Sequence, residues 1–337
     1  MGTRRSTHML RTILVLLDGS PICRHALAYT VELERSVRAR LVLVRVPRSD
    51  LRAHLGRQHA HAATAESLLR QAQELRRDGL EVETVVLADH RPEALLRHID
   101  RWQADLVVLG TARPRLFGRW GRGSIAGTVL GHGGCPVLLL AARSGLAANA
   151  PSLVGKRILV PLDGSPFAEA ALPTAVQLAR ALDSELLLLE PVAALHLLPS
   201  VLRTGGAAEL EAALLLAERE EAASAYLQRV ADQLVAQEQS LSVSTIASGG
   251  KLLDLLRQLS QDHAGAHIGL VVGSAHPRTG PGGVTLGGIA DAVLRQGRLP
   301  LVVVRPAEPT AVTATEGGRW AMRRVWLGRW RARSAAI

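Results

Sequence analysis

The sequence predicts an α/β protein made of two similar units, each a five-stranded parallel sheet with helices on both faces. Short apolar runs rich in Val, Ile and Leu alternate with helical patterns along the chain, and one segment near the start recurs later. Continuous rather than alternating hydrophobicity is typical of strands that are buried on both faces, as in a parallel sheet. With 337 residues, the chain is long enough to bury two cores of ordinary size.

The recurring segment defines the two units. ILVLLDGSP at 13–21 returns as ILVPLDGSP at 158–166, an offset of 145 residues. Three positions near the end of the unit recur at an offset of 163 or 164, in the pairs Gly110 and Gly273, Gly123 and Gly287, and Pro136 and Pro300. The second unit is therefore longer in its middle, by about one helix around residues 193–221.

Each unit is predicted to hold five strands. They lie at 12–17, 41–46, 81–87, 105–109 and 137–141 in the first unit, and at 157–162, 186–190, 241–247, 269–272 and 301–304 in the second. The helix after the first strand is predicted at 24–38 and again at 168–182. These elements give a first domain at 10–143, a linker of small residues at 144–155, a second domain at 156–306 and a basic Trp/Arg-rich tail at 307–337.

The net charge of +10 is concentrated at one end of the chain. Residues 310–337 hold six arginines and one glutamate, a net of +5, so the rest of the chain carries the remaining +5. Because only 3% of the residues are aromatic, the body offers no platform on which bases stack, and we expect no specific nucleic-acid partner. The tail has three tryptophans among its arginines, and is either solvated or a contact for an anionic membrane or a protein partner.

Hydropathy and cysteine content both favour a cytoplasmic protein. No apolar run approaches the roughly 20 residues that a membrane-spanning helix needs. The two cysteines, Cys23 and Cys135, are too few for a disulfide framework and fit a reducing compartment.

A phosphate site is predicted where the fourth strand of the first unit ends. Residues 106–140 read as strand, Gly/Arg-rich loop, helix and strand, with Gly110 before the loop and Gly123 and Ser124 opening the helix. Glycine lets a backbone approach a ligand closely, and a helix N-terminus presents free N–H groups to an anion. Asp18, at the end of the first strand, falls on the same edge of the sheet, where open α/β sheets bind ligands. On the glycines alone, a loop that only turns the chain is the alternative.

Other nucleotide-binding and catalytic signatures are missing from the sequence or misplaced in it. GRGSIA at 121–126 matches a dinucleotide fingerprint, but it does not follow the first strand of a βαβ unit. The sequence has no GxxxxGK[ST] phosphate loop and no GxSxG nucleophile elbow. His54, His59 and His61 lack the regular spacing of metal ligands, so we expect no metal site.

Taken together, these motifs resemble a tandem universal stress protein. The resemblance covers residues 10–141 and 156–305, and rests on the ILVxLDGS start, the apolar second strand and the loop pattern G-x2-G-x9-G-[ST] followed by a CPV strand. It implies two flavodoxin-like, or adenine-nucleotide α-hydrolase-like, units that pair through their last strands, within one chain or in a homodimer. For one branch of the family it also implies bound ATP or AMP, with or without Mg²⁺.

The resemblance assigns roles to residues by position. Asp18 would lie near the ribose or a phosphate-bound metal, and the main chain of Val46 would pair with the adenine. Gly110, Gly123 and Ser124 would hold the ribose and phosphates. The candidate nucleotide-binding residues of the first unit are Leu16, Asp18, Val46, Gly110, Thr111, Arg113, Gly123, Ser124 and Ile125. Those of a degenerate second site are Asp163, Gly273, Gly287 and Gly288.

Both units depart from the family pattern. In the first, Arg113 replaces the middle glycine of a loop with four arginines, which favours an anion site, although the side chain could instead block the ligand. In the second, the loop is one residue longer, His276 replaces the middle glycine and Gly288 replaces the serine. Pro191 stands at the adenine-pairing position without an N–H to donate, unless the alignment slips to Val192. We therefore predict that the second site binds nucleotide weakly or not at all.

The sequence thus favours a regulatory protein of the universal stress type, which binds ATP or AMP mainly in its first domain and signals stress through partner interactions. A scaffold of the same fold that does not bind nucleotide, with Arg113 blocking the pocket, is one alternative. A slow nucleotide hydrolase is the other, and the sequence contains no identifiable base or nucleophile for it.

Overall fold

The computed structural model of the chain describes residues 10–45, 62, 65–87, 92–111, 125–132, 135–141, 153–192, 207–249, 255–256, 258, 268–277, 284–286, 290, 292–293 and 299–306. Residues 1–306 form one compact unit, and residues 307–337 are a separate unit that lies outside the described part.

The elements of the first domain follow the predicted alternation of strand and helix. They are β1 (Thr12–Leu17), α1 (Pro21–Val37), β2 (Arg40–Arg45), α2 (65–77), β3 (Val82–Val86), α3 (Pro92–Trp102), β4 (Leu106–Thr111), α4 (Ile125–His132) and β5 (Val137–Ala141). Each of the five predicted strands is confirmed, with ends that differ from the prediction by at most two residues.

The described part of the second domain repeats the order of the five parallel strands. Its elements are β6 (Arg157–Pro161), α5 (Pro166–Glu169), α6 (Leu172–Ala181), β7 (Leu186–Pro191), α7 (Ala207–Gln237), β8 (Val243–Ser248), β9 (Ile268–Pro277), β10 (Val284–Leu286) and β11 (Leu301–Val304). The helix predicted at 168–182 is divided into α5 and α6, the described part of the added sequence lengthens the single helix α7, and the short strand β10 was not predicted.

All strands except β10 follow one another in a single sheet. The order is β3-β2-β1-β4-β5-β11-β9-β6-β7-β8, with β10 paired to β9 off this path. Within each domain the neighbouring strands on this path are parallel, which confirms a five-stranded parallel sheet in each unit. The order within a domain corresponds to 3-2-1-4-5, with its switch point between the first and fourth strands, whereas flavodoxin itself has the order 2-1-3-4-5.

Successive residues of each strand enter two cores on opposite faces of the sheet. In β1, Ile13, Val15 and Leu17 pack into the core that also takes in α1, α2, α6 and α7. Leu14 and Leu16 pack into the other core, which includes residues of α3 and α4. Both cores contain strands from the two domains, so the sheet is covered by apolar contacts on both faces.

The two domains join edge to edge through β5 and β11, which are antiparallel. The register pairs Leu139 with Leu301, Leu138 with Val302, and Val137 with Val303. Since Val137 and Leu301 are each the first residue of the last strand of their domain, this register is symmetric about the central pair, Leu138 and Val302. The domains are therefore related by a local twofold axis through that pair, as in an isologous dimer interface.

Among the described residues, no helix combines the length and the apolar character that crossing a bilayer requires.

We expect Leu138→Ala to destabilise the fold by about 2–5 kcal/mol, because the side chain is 1% exposed and its loss leaves a cavity at the domain junction. Urea unfolding followed by circular dichroism measures this change. Leu214→Ala is the matched control, since Leu214 is 58% exposed and its removal should change stability by less than about 0.5 kcal/mol. Equal losses in the two variants would contradict the assigned role of β5.

Candidate functional site

The candidate site lies at the switch point of the first domain, where β1 and β4 are neighbours. The two strands are parallel, with Leu16 opposite Leu109, so the ends that lead to Asp18 and to Gly110 meet at one edge of the sheet. The predicted placement of Asp18 and Gly110 on one edge is confirmed. A parallel α/β sheet opens a crevice at such a point, because the connections from the two strands leave in opposite directions.

The carboxylate of Asp18 is held in place by the first turn of α1. Its Oδ1 atom accepts hydrogen bonds from the Ser20 backbone N–H at 2.8 Å and from the Cys23 thiol at 2.9 Å. Gly19, with φ of 83°, provides the left-handed turn between the strand and the helix. Among the described residues Oδ2 has no hydrogen-bond partner, so one oxygen of an exposed, oriented carboxylate is available to a ligand.

Burial and hydrogen bonding set the charges of this pair. Burial raises the pKa of Asp18, but the hydrogen bonds from Cys23 and Ser20 outweigh it and lower the pKa below its ordinary value. Burial and the bond to Asp18 raise the pKa of Cys23 to about 11. Asp18 is therefore a carboxylate near neutral pH, and Cys23 is a neutral thiol that donates to it.

Neither cysteine has the properties of a nucleophile. Both are free thiols. Burial, followed by the nearby Asp105 and Asp100, raises the pKa of Cys135 to about 12, and Cys23 is similarly raised. Since the thiolate is the reactive form, a high pKa makes a thiol a poor nucleophile.

Gly110 is needed for packing within the protein. A Cβ atom at this position would lie 3.1 Å from the backbone carbon and oxygen of Ile22 and 3.1 Å from its Cγ1 atom. The first turn of α1 therefore packs directly on the end of β4, where only glycine fits without movement. This close approach accounts for Gly110 independently of any ligand, although it also draws the Asp18 turn to the end of β4.

The remaining predicted residues of the first site fall into two groups. Leu16 is 8% exposed with its side chain in the core, so only its main chain can serve a ligand. Thr111 ends β4 and Ile125 begins α4, on either side of the loop. The other candidate positions of the first site lie outside the described residues, namely Val46, Arg113, Gly123 and Ser124. Two candidate positions of the second site, Gly287 and Gly288, also lie outside them.

The sheet register changes the alignment of the second domain with the first. Gly110 pairs with Leu140 on β5, and Ser274 pairs with Val304 on β11. Because Leu140 and Val304 are equivalent across the twofold axis, the counterpart of Gly110 is Ser274 and not Gly273. Counted from Gly110 to Gly123 and from Ser274 to Gly287, the two loop sequences are equally long. The extra residue of the second domain then lies before its loop.

The second domain keeps the aspartate but surrounds it differently. Asp163 Oδ1 accepts from the Ser165 backbone N–H at 3.0 Å and from the Ser165 hydroxyl at 2.6 Å. The same hydroxyl accepts from the backbone N–H of Ala168 and so caps α5. In the first domain Ser20 makes no such cap, and its hydroxyl donates instead to Sγ of Cys23, the residue at the position of Ala168.

The charges around the two aspartates are reversed. Arg24, exposed in the first turn of α1, corresponds at the 145-residue offset to Glu169. Arg45, at the end of β2, corresponds to Glu190 near the end of β7. The edge of the first domain therefore carries arginines at the two positions where the edge of the second domain carries glutamates.

The second edge is also occupied by contacts from α7. Tyr226 Oη donates to Glu169 Oε1 at 2.8 Å, and Glu220 Oε1 accepts from the Gly249 backbone N–H at 2.8 Å. Burial, and then the neighbouring Asp163, raise the pKa of Glu190. Because burial already disfavours the charge of Glu190, and Glu169 and Asp163 lie on the same edge, this edge is a poor place for a phosphate.

The features that distinguish the two edges were not found from the sequence. The sequence shows Cys23 only as a free cysteine, whereas in the structure its thiol donates to Asp18. The signal that reveals the charge reversal is the pairing of Arg24 with Glu169 and of Arg45 with Glu190 when the two repeats are aligned at the 145-residue offset. Within the described residues, no group of three His, Cys, Asp or Glu side chains is arranged to hold a metal ion.

Cys23→Ala is expected to raise the pKa of Asp18, because one of the hydrogen bonds that oppose the effect of burial is removed. It gives the first domain the residue that the second has at Ala168. Because the pKa of Asp18 is lowered in the folded state, its contribution to stability is present above its unfolded pKa and is lost as pH falls through the folded pKa. In the variant this contribution should be smaller and should be lost completely at a higher pH, because the folded pKa then lies closer to the unfolded pKa, at which the loss begins.

Carbon-13 NMR titration of the aspartate carboxyls in both proteins measures this shift, with Asp163 as the internal control. An Asp18 titration that is the same in wild type and Cys23→Ala would show that the thiol does not hold the carboxylate.

Gly110→Ala should destabilise the protein by about 1–3 kcal/mol, since the new methyl group would press on the backbone of Ile22. Gly273→Ala is the control, because a Cβ there would meet its nearest atoms at 3.8 and 3.9 Å, an ordinary contact distance. Thermal unfolding of both variants measures the difference. If the two substitutions cost the same, the close packing of α1 on β4 is not what requires Gly110.

Comparison with known proteins gives the same family for both domains. The family model for the universal stress protein family matches residues 9–141 and 155–305. The universal stress proteins Rv2005c of Mycobacterium tuberculosis H37Rv and Mb2028c of Mycobacterium bovis are each 30% identical to this chain over 206 residues. The match covers 60% of this chain and 62% of each relative, so it spans less than two thirds of their length.

Solved structures show the same fold over most of the chain. A universal stress protein from Archaeoglobus fulgidus matches with a TM-score of 0.58 and 16% identity, covering 89% of this chain and 98% of the other. The protein PA1789 from Pseudomonas aeruginosa PAO1 matches with a TM-score of 0.55 and 16% identity, covering 89% of this chain and 94% of the other. The two family matches together cover nearly all of residues 9–305, and this chain belongs to the universal stress protein family, with two of the family's domains in tandem.

Proposed function

We propose that this protein binds one adenine nucleotide, ATP or AMP, at the edge of the first domain, and regulates partner proteins according to whether that site is filled. The observation that carries the proposal is the reversal of charge between the two edges. Arg24 and Arg45 lie on the same edge of the sheet as Asp18, and Glu169 and Glu190 hold the equivalent positions on the edge of Asp163.

The geometry of the first edge supports a ligand with both hydroxyl and phosphate groups. Asp18 has one carboxylate oxygen fixed by two donors, and its other oxygen can accept from a ribose hydroxyl or bind a phosphate-bound cation. Arginines are good partners for phosphate oxygens, because the guanidinium group donates in a planar fork. Nucleotide binding is typical of the family, which supports assigning the loop sequence at 112–124, with its four arginines, to the same site.

The geometry of the second edge supports the opposite conclusion for the second domain. Glu169 and Glu190 would repel a phosphate, and Tyr226 is bonded to one of them. Pro191 lies at the end of β7 and offers no N–H to a base. The neighbouring Val192 does not rescue this donor, because its N–H already bonds to the carbonyl of Ser248 at 3.0 Å.

Isothermal titration of the full chain with ATP and with AMP, with and without Mg²⁺, tests the proposal. We expect one saturable site per chain. Asp18→Asn should weaken binding by about ten-fold or more, since it removes a charged acceptor. Arg45→Glu, which introduces the charge found in the second domain, should weaken ATP more than AMP because ATP carries more phosphate charge.

Asp163→Asn and Glu190→Gln are the matched controls and should leave the affinity unchanged. Absence of saturable binding at millimolar nucleotide would overturn the proposal and leave an interaction scaffold of the same fold. Two sites per chain, or a loss of binding in Asp163→Asn, would overturn the assignment to the first domain.

A further inference from the structure

A buried hydrogen bond ties helix α1 of the first domain to a strand of the second. Tyr29 Oη donates to the backbone carbonyl of Gly269 on β9, over 2.8 Å. The side chain of Tyr29 is 3% exposed, and burial keeps the pKa of its phenol well above the ordinary value, so it remains a donor. A buried hydroxyl that loses its acceptor is costly, so this bond restricts which surface can lie opposite Tyr29.

The acceptor lies at an irregularity in the sheet. The β6–β9 register pairs Arg157 with Ile268 and then Ile158 with Leu270, so Gly269 has no partner residue on β6. The β9–β11 ladder begins only at Val271. Gly269 is thus the extra residue of a β-bulge, and the bulge turns its carbonyl toward the phenol.

Position 269 also requires glycine for steric reasons. A Cβ atom there would lie 2.9 Å from Cβ of Lys156 and 3.1 Å from its Cδ atom. A side chain at this residue would therefore displace the backbone whose carbonyl accepts from Tyr29.

Neither half of this hydrogen bond is repeated across the twofold axis. The 145-residue offset places Thr174 at the position of Tyr29, and its side chain is too short to replace a phenol. In the first domain the sheet register places Asp105 at the position of Gly269, and Asp105 has a side chain, whose Oδ2 accepts from the backbone N–H groups of Arg11 and Thr12. The bond therefore forms once per pair of domains, and only when a first domain meets a second domain.

We propose that the Tyr29–Gly269 hydrogen bond makes the first domain select the second domain, rather than another copy of itself, as its pairing partner. The strands β5 and β11 do not provide this selectivity, because backbone ladders between two apolar strands form equally well in a homotypic pair. Two first domains paired through β5 would place two phenols opposite Asp105, where the mixed pair has a glycine. Two second domains would pair with the bulge carbonyl facing a threonine.

The test uses the full chain with a protease site inserted in the linker sequence at 144–152. After cleavage, native mass spectrometry over a dilution series reports both the composition of the pairs and the concentration at which they separate. We expect wild type to give only the mixed pair of one N-terminal and one C-terminal fragment. In Tyr29→Phe, the mixed pair should separate at an about ten-fold higher concentration, and homotypic pairs should appear.

Tyr226→Phe is the matched control, because this second tyrosine also loses a 2.8 Å hydrogen bond, but both partners belong to the second domain. It should behave as wild type in the dilution series. Gly269→Ala displaces the acceptor and not the donor, and it should reproduce the effect of Tyr29→Phe. If Tyr29→Phe fails to fold, Gly269→Ala serves as the test variant. Equal separation of Tyr29→Phe and Tyr226→Phe, or a statistical mixture of pairs from wild type, would overturn the proposal.

Discussion

The antiparallel pairing of β5 with β11 is the contact on which the rest of the structure depends. It joins two five-stranded sheets into one, places the local twofold axis at Leu138 and Val302, and lets both apolar cores include strands of the two domains. Because of this symmetry, every residue at one edge has a counterpart at the other edge. The differences between the counterparts then show how the two halves have come to differ.

Those differences follow a consistent pattern. The aspartate after the first strand is kept in both domains, and in both it is held by donors from the turn that follows. Around it, arginines in the first domain stand where the second has glutamates, and α7 of the second domain contacts its own edge through Tyr226 and Glu220. One edge therefore carries basic groups at the positions where the other edge carries acidic groups of the protein itself.

Much of the fold could be predicted from the sequence, because apolar runs such as 137–141 and 301–304 are continuous and short, a pattern that few structures other than buried parallel strands produce. The division of the helix after β6 and the bulge at Gly269 could not be predicted from the sequence, because they depend on packing between segments far apart in the chain. The position of Asp18 and Gly110 followed from topology alone. Local motif matching aligns Gly110 with Gly273, whereas the sheet register aligns it with Ser274, because strand pairing and not sequence similarity sets the register.

The central claim is that the two edges differ in what they bind. A crystal structure of the full chain grown with a non-hydrolysable ATP analogue tests it most directly. We expect electron density for one nucleotide beside Asp18 at the ends of β1 and β4, and none beside Asp163. Density beside Asp163, or no density at either edge at saturating analogue, would contradict the account.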